Sequence, residues 1–147
     1  MKILFVNSSP NPNGNTARIA AELLSGKTYD TLNLTDYKIY SYGQQFPDDQ
    51  FMEVMDKIRE YDVIVMGSPL YWHNISGMMR DLLDRSYGPF EQGEFAGRDL
   101  YFIMQGAAPE KWMLEACEYT MSRYAQICGF NYKGMITSIS EAKNKRI

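Results

Sequence analysis

Residues 63–77 read VIVMGSPLYWHNISG, and the passage from Met66 into Gly67 decides the fold class. Val63-Ile64-Val65-Met66 is an apolar run without alternation, which predicts a strand covered on both faces, as parallel strands between helices are. Gly67, Ser68, Pro69 and Asn74 then punctuate a turn. Leu70, Tyr71 and Trp72 sit inside that turn, where water-facing residues are the rule. Either they fold back over the core, the general tendency of large apolar groups, or they form one wall of a site for a flat ligand.

Outward from this stretch the same pattern recurs. Lys2–Val6 and Leu100–Met104 are further unalternating apolar runs, whereas Thr28–Leu34 and Tyr132–Ser138 alternate. Three central strands and two edge strands are therefore expected. Helices fit between them. One runs over Thr16–Ser25 and is stopped by Gly26. A second follows Pro47-Asp48, with Phe51, Val54, Met55 and Ile58 on one face. A third opens at Ser76, with Ile75, Met79, Leu82 and Leu83 inward; there Asp81 precedes Arg85 by four residues, the favourable order for a surface ion pair. The last begins at Pro109, carries Trp112, Ala116, Cys117 and Tyr124, and stops at Gly129.

Strands and helices in alternation make an α/β doubly wound parallel sheet. In such sheets ligands lie beyond the carboxyl ends of the strands, where the strand order reverses. The loops Asn7–Asn15, Ser68–Ile75 and Gln105–Ala108 are thus the candidates for a site.

Composition narrows what the site can serve. At 147 residues the chain is expected to be one domain, residues 1–147, with 45% hydrophobic and 22% charged residues. A net charge of −3 offers no basic footprint for nucleic acid. No apolar run approaches the roughly 18 residues of a membrane span, and Met1-Lys2 leads into no cleavage site, so a cytoplasmic protein is expected. Cys117 and Cys128 lie about 16 Å apart along one helix, too far to bridge. No Cys-x-x-Cys pair or other ligand cluster points to a metal, and both thiols are expected in the core.

The first loop, NSSPNPNGNT at residues 7–16, joins a strand to a helix. It supplies hydroxyls at Ser8, Ser9 and Thr16 and amides at Asn11, Asn13 and Asn15. A helix start with unpaired N–H groups can hold a phosphate without lysine or arginine. The loop has neither the Gly-x-x-x-x-Gly-Lys-Ser/Thr of a nucleotide triphosphatase nor the Gly-x-Gly-x-x-Gly of a dinucleotide fold. An ordinary turn-rich capped loop has the same composition.

Together, SSPNPNGNT and GSPLYWHNISGMMRDLLDR resemble the two signatures of the flavodoxin-like, NAD(P)H-dependent FMN reductases, a group related to the flavodoxin domains of iron–sulfur flavoproteins. The resemblance extends to about Ser138. It implies a flavodoxin-like five-stranded sheet in the order 2-1-3-4-5 with helices on both faces. It also implies bound FMN, with NADH or NADPH as electron donor. Ser9, Asn11, Asn15 and Thr16 fall on the phosphate-loop positions. Pro69, Leu70, Tyr71, Trp72, His73 and Asn74 fall on the loop beside the isoalloxazine ring, and Gln105 and Gly106 on the third loop.

Three departures from the pattern stand out. Asn11 replaces a common arginine, so phosphate binding rests on neutral donors. His73 stands where glycine is usual; a positive φ there costs a non-glycine residue roughly 1 kcal/mol or more. YSYGQQF at residues 40–46 lacks the clustered cysteines of the iron–sulfur members, which excludes a cluster of that type. His73, the only histidine, is either a proton donor to the reduced cofactor or substrate, or a solvated loop residue. Phe90 and Phe95, within the Gly-rich stretch Gly88–Gly97, either border the site or pin a mobile loop to the core.

Two function classes follow. The first is an enzyme without catalytic side chains of its own, passing electrons through FMN to a small acceptor: a quinone, free flavin, nitro or azo compound, or metal ion. The second is a flavodoxin-type one-electron carrier between protein partners. Such carriers are usually strongly acidic and use a Thr/Ser-Gly-x-Thr-Gly phosphate loop; the modest charge and the different loop favour the enzyme. The resemblance further implies a homodimer.

Overall fold

A computed structural model describes all residues from Met1 to Ile147. The elements in chain order are β1 (Ile3–Asn7), α1 (Asn15–Leu23), β2 (Asp30–Asn33), α2 (Phe51–Ile58), β3 (Val63–Tyr71), β4 (Asn74–Ile75), α3 (Gly77–Arg85), β5 (Asp99–Gln105), α4 (Lys111–Cys128), β6 (Asn131–Ile136) and α5 (Ile139–Asn144). A single 3-10 turn, Leu34–Asp36, follows β2.

The main path of the sheet runs β2-β1-β3-β5-β6, all parallel. This is the expected doubly wound order. The one difference is β4, a sixth strand too short to be seen as a hydrophobic run, which pairs antiparallel with the end of β3. β1 and the first seven residues of β3 are buried on both faces, as their unalternating sequences require. One face of the sheet carries the larger core, filled by Val54, Met55 and Ile58 of α2, Met79 and Leu82 of α3, and Cys117, Met121 and Ala125 of α4. The other face is covered by α1 and α5, through Ile19, Leu23 and Ala142.

Two glycines bring elements close. At Gly67 a Cβ would lie 2.6 Å from Thr16 Cγ2 and 2.8 Å from Phe5 Cε2, so the start of α1 can rest on the end of β3 only because that position lacks a side chain. Gly129 ends α4 in the left-handed region (φ +92°), and a Cβ there would meet the Gly93 backbone at 2.8 Å. That contact sits beside the Gly88–Gly97 stretch. Phe90 and Phe95 are fully buried within the stretch, stacked on one another at 5.5 Å, and Phe95 stacks on Phe130 at 4.6 Å. They pin the stretch to the core. Both cysteines are buried and free.

One helix-surface expectation needs correction. Arg85 does not pair with Asp81. Its two guanidinium nitrogens grip Asp49 at 2.7 and 2.8 Å, and it donates to the Tyr40 carbonyl at 2.9 Å. A planar fork matches a carboxylate better than the angled approach available along one helix face. Asp81 accepts instead from Ser41 Oγ, and the i,i+4 pair of α3 is Arg80–Asp84. On α4, Trp112 and Ala116 face outward, and the buried stripe is Met113, Cys117, Met121, Ala125 and Cys128.

Candidate functional site

The ends of β1, β3 and β5 carry their loops to one edge of the sheet. The first loop is built by its own side chains. Asn7 Oδ1 accepts from the Ser9 amide at 3.0 Å, Ser9 Oγ from the Asn11 amide at 3.1 Å, and Asn11 Oδ1 from the Asn13 amide at 3.1 Å. Short polar side chains that bond two residues ahead are what hold such turns without regular structure. Asn11 folds back over Gly14, with its carboxamide within about 3.1 Å of the place a Gly14 Cβ would take. The residue in place of an arginine thus shapes the loop.

α1 starts without a side-chain cap. The amides of Asn15, Thr16 and Ala17 have no acceptor within the protein, and the positive end of the helix dipole lies there. Thr16 is fully buried. Its Oγ1 accepts from Gln105 Nε2 at 3.2 Å, which ties the first loop to the third, while its amide and its hydroxyl proton have no acceptor. Buried donors are ordinarily paired. Unpaired donors at a helix start fit an anionic group such as a phosphate. No lysine or arginine takes part; Arg18, in the first turn, donates to Asn15 Oδ1 at 3.2 Å.

The second loop is a tight hairpin. Tyr71 pairs with Asn74, and the two turn residues between them, Trp72 (φ 47°) and His73 (φ 66°), both lie in the left-handed region. Positive φ at both central residues is the requirement of the hairpin turn usually filled by Asn-Gly. Two bulky residues take that conformation here, at about 1–2 kcal/mol each. Trp72 is 94% exposed and Tyr71 48% exposed, so neither folds over the core, whereas Leu70 packs against it. Leu70 is half-buried and Pro69 buried. The amides of Trp72 and His73 have no acceptor in the protein. Asn74 is exposed, and its Oδ1 accepts from the Ile75 amide at 2.8 Å and from Cys117 Sγ at 3.7 Å. Burial pushes the Cys117 thiol up, which keeps it a neutral donor under the hairpin.

The third loop leaves β5 at Gln105. Gly106 lies against Leu70, where a Cβ would come within 3.0 Å of the leucine Cβ. The amides of Gly106, Ala107 and Ala108 also have no internal acceptor. The loop leads into α4, whose first turn presents Trp112, 54% exposed, with its indole N–H held by Glu110 at 2.7 Å. The Trp112 ring meets His73 edge to face, with centroids 5.6 Å apart. All the residues expected for a site therefore gather on three neighbouring loops. Trp112 and the buried serines 8, 68 and 76 are added to them. Trp112 had a signal, a tryptophan one turn beyond a strand-end loop; the three serines stand out in the sequence as loop and helix-start residues, but nothing there links them to one another.

A sequence family described as NADPH-dependent FMN reductase matches residues 1–138. An iron-sulfur flavoprotein of Archaeoglobus fulgidus is 32% identical over 98 residues, 58% of this chain and 49% of that protein. The chain spans about half the length of the curated relatives it matches. Among solved structures, the Trp repressor binding protein from Bacillus subtilis superposes with a TM-score of 0.79, at 17% identity and with 99% of both chains covered. An FMN-dependent NADH-azoreductase from Bacillus anthracis, in complex with FMN, superposes with a TM-score of 0.70, at 14% identity, covering 98% of this chain and 93% of that one. At such identities the structural likeness speaks for the fold.

Proposed function

The chain belongs to the NADPH-dependent FMN reductase family, an enzyme family whose cofactor is FMN, and we propose that it binds FMN across the three loops and passes electrons from NADH or NADPH to a small acceptor. The observation that carries the proposal is the start of α1, where buried and exposed donors converge without acceptors beside an aromatic hairpin.

The Asn15, Thr16 and Ala17 amides, with the hydroxyls of Ser9 and Thr16, hold the phosphate. Asn11 shapes this loop, and Asn15 stands at its mouth. A neutral set of donors around a helix start suffices, because the dipole supplies the positive potential. The amides of Trp72 and His73 on one side, and of Gly106 on the other, read the polar edge of the ring. Pro69 and Leu70 set the floor on which it rests, and Asn74 ties the hairpin to α4. Tyr71 and Trp72 offer flat apolar surface to a ring or its rim and shield it from water. Bound FMN would supply the two-electron redox chemistry between a nicotinamide and the acceptor. The chain's part is to position and exclude water; it holds no acid–base pair at the loops. His73 is exposed, with Trp112 as its neighbour and no carboxylate partner, which supports a positioning role over proton transfer.

The acceptor class proposed is a quinone, flavin, nitro or azo compound, or metal ion. The assembly proposed is a homodimer, in which a second subunit covers the exposed Trp72. Residues 1–147 are taken to fold as one unit. No helix is long and apolar enough to cross a membrane. The test is anaerobic mixing of FMN-loaded protein with NADH or NADPH, followed by absorbance. Bleaching of the flavin band within seconds, then ping-pong turnover with a quinone, is expected. A band that neither nucleotide bleaches within minutes, while a reductase protein does so one electron at a time, would make the protein a carrier.

A further inference from the structure

Between the first and second loops runs a chain of buried hydroxyls that the proposed chemistry does not use. Ser8, Ser68 and Ser76 are all 2% exposed or less. Ser76 caps α3, its Oγ accepting from the Met79 amide at 3.5 Å. That hydroxyl donates to Ser8 Oγ at 2.9 Å, and Ser8 Oγ donates to the Gly67 carbonyl at 2.9 Å. The Ser76 amide donates to Ser68 Oγ at 2.9 Å, and Ser68 Oγ donates to the Pro69 carbonyl at 2.8 Å. Both strings therefore start at Ser76 and end on the last buried turns of β3.

The consequence is geometric. The hairpin leaves the parallel sheet after Pro69 and returns at Ser76, and the strand end Gly67–Pro69 and Ser76 are joined to each other by hydroxyls. Ser8 ties the same staple to the phosphate loop, because its amide also donates to Gly67 O at 2.9 Å and its neighbour Ser9 lies in that loop. A turn with two bulky residues at positive φ persists only where its surroundings over-determine it. Here the surroundings are this staple on one side and Asn74 on the other.

We propose that Ser8 and Ser76 are positioning residues that couple the phosphate loop to the ring loop, so that an anion at the start of α1 pre-orders the hairpin for the ring. The inference rests on the FMN site proposed above. Ordering one end of the staple lowers the ordering cost at the other, and the two ligand halves then bind with positive coupling. Removal of the Ser8 hydroxyl takes away the acceptor of Ser76 and breaks the hydroxyl link, while the Ser8 amide stays on the Gly67 carbonyl and the donors to phosphate and ring stay in place.

The experiment titrates the full chain with riboflavin, with and without saturating inorganic phosphate, reading flavin fluorescence. Wild-type protein is expected to bind riboflavin about fivefold tighter in phosphate, the low end of measured couplings. In Ser8→Ala the enhancement should fall to near one, and Ser76→Thr, which keeps the hydroxyl, should retain it. A Ser8→Ala protein that keeps the full enhancement, even with a lowered melting temperature, would overturn the inference and leave the FMN site standing. A wild type that shows no enhancement but binds FMN far more tightly than riboflavin would do the same. If the wild type shows neither, the FMN site itself is wrong and the inference goes with it. Should Ser8→Ala fail to fold, amide hydrogen exchange of wild-type Trp72 and His73 decides: slowing by phosphate alone supports the coupling, and unchanged exchange refutes it.

Discussion

The loop edge and the flank of residues 38–51 are held by different forces. At the edge, Ser8, Ser9, Asn7, Thr16, Gln105 and Ser76 are linked by neutral hydrogen bonds, and no ion pair joins the residues of the three loops. On the flank, Lys38 meets Asp48 at 3.0 Å, Tyr40 donates to Asp48 at 2.8 Å, and Arg85 grips Asp49 while its guanidinium lies 4.8 Å from the Phe51 ring centre. The difference follows from what each region must do. An edge that receives an anion keeps its donors free, and the carboxylate beside the third loop, Glu110, accepts from the Trp112 indole. A flank without regular structure between Tyr37 and Gln50 needs strong, directional contacts to stay on the helices beneath it. Changes at the edge should therefore act on flavin affinity, and changes on the flank on stability.

The largest effect is expected at the edge. Ser9→Ala combined with Thr16→Ala removes two hydroxyls from the phosphate. Hydrogen bonds to charged groups contribute about 1.5–3 kcal/mol each, so FMN affinity should fall roughly a hundredfold or more. Riboflavin, which lacks the phosphate, should lose little; equal losses for both would put the phosphate elsewhere.

Next comes the flank. Arg85→Ala strips Asp49 of its partner and Tyr40 O of its donor in a mostly buried setting, a loss of about 3 kcal/mol in urea unfolding. FMN affinity of the folded variant should stay within about twofold. A variant that keeps its stability and loses FMN would reverse the division between the two regions.

Acid separates them in the unmodified protein. The Arg85 guanidinium beside Asp49, with amides of Tyr40 and Phe51, holds its carboxyl down at about 2 against an ordinary 3.8. A depressed carboxylate contributes stability that is complete above about pH 4 and is lost as pH falls toward 2. The amount is roughly 2 kcal/mol. Urea midpoints of wild type and Arg85→Ala, measured from pH 5 down to 2.5, should converge; parallel curves would deny the pair its role.

The smallest effect belongs to the hairpin tip. Trp72→Ala removes a side chain that is 94% exposed, so stability should change by less than about 0.5 kcal/mol. Both FMN and riboflavin should bind several-fold more weakly, in line with about 0.5–1.5 kcal/mol for an aromatic contact. Loss for FMN alone would mean that Trp72 serves the phosphate rather than the ring.

Much of this was legible in the sequence, and the rest was hidden for physical reasons. The central strands show because burial on both faces leaves an unbroken apolar run, and the parallel order follows from helices between them. β4 does not show, since its turn is made by Trp72-His73 instead of the Asn-Gly that announces such a hairpin. α5 was missed although Ser138-Ile139-Ser140-Glu141 has a capping-box sequence; Ser138 Oγ accepts from the Glu141 amide at 3.1 Å, and the Glu141 carboxylate accepts from the Thr137 amide at 2.9 Å. The three loops were found through topology and turn composition. The Ser8–Ser76 link joins residues 68 apart in sequence, and the Asp49–Arg85 pair residues 36 apart. No local rule sees either, and for Arg85 the local rule chose the wrong partner.

The central claim is that the start of α1 is a phosphate site facing a ring site. The most direct measurement is a parallel fluorescence titration of the wild-type chain with FMN, riboflavin and FAD. The account predicts stoichiometric FMN binding with quenched fluorescence, tighter than riboflavin by about two orders of magnitude, as several charge-assisted hydrogen bonds require. FMN and riboflavin binding alike, or FAD retained in preference to FMN, would contradict it.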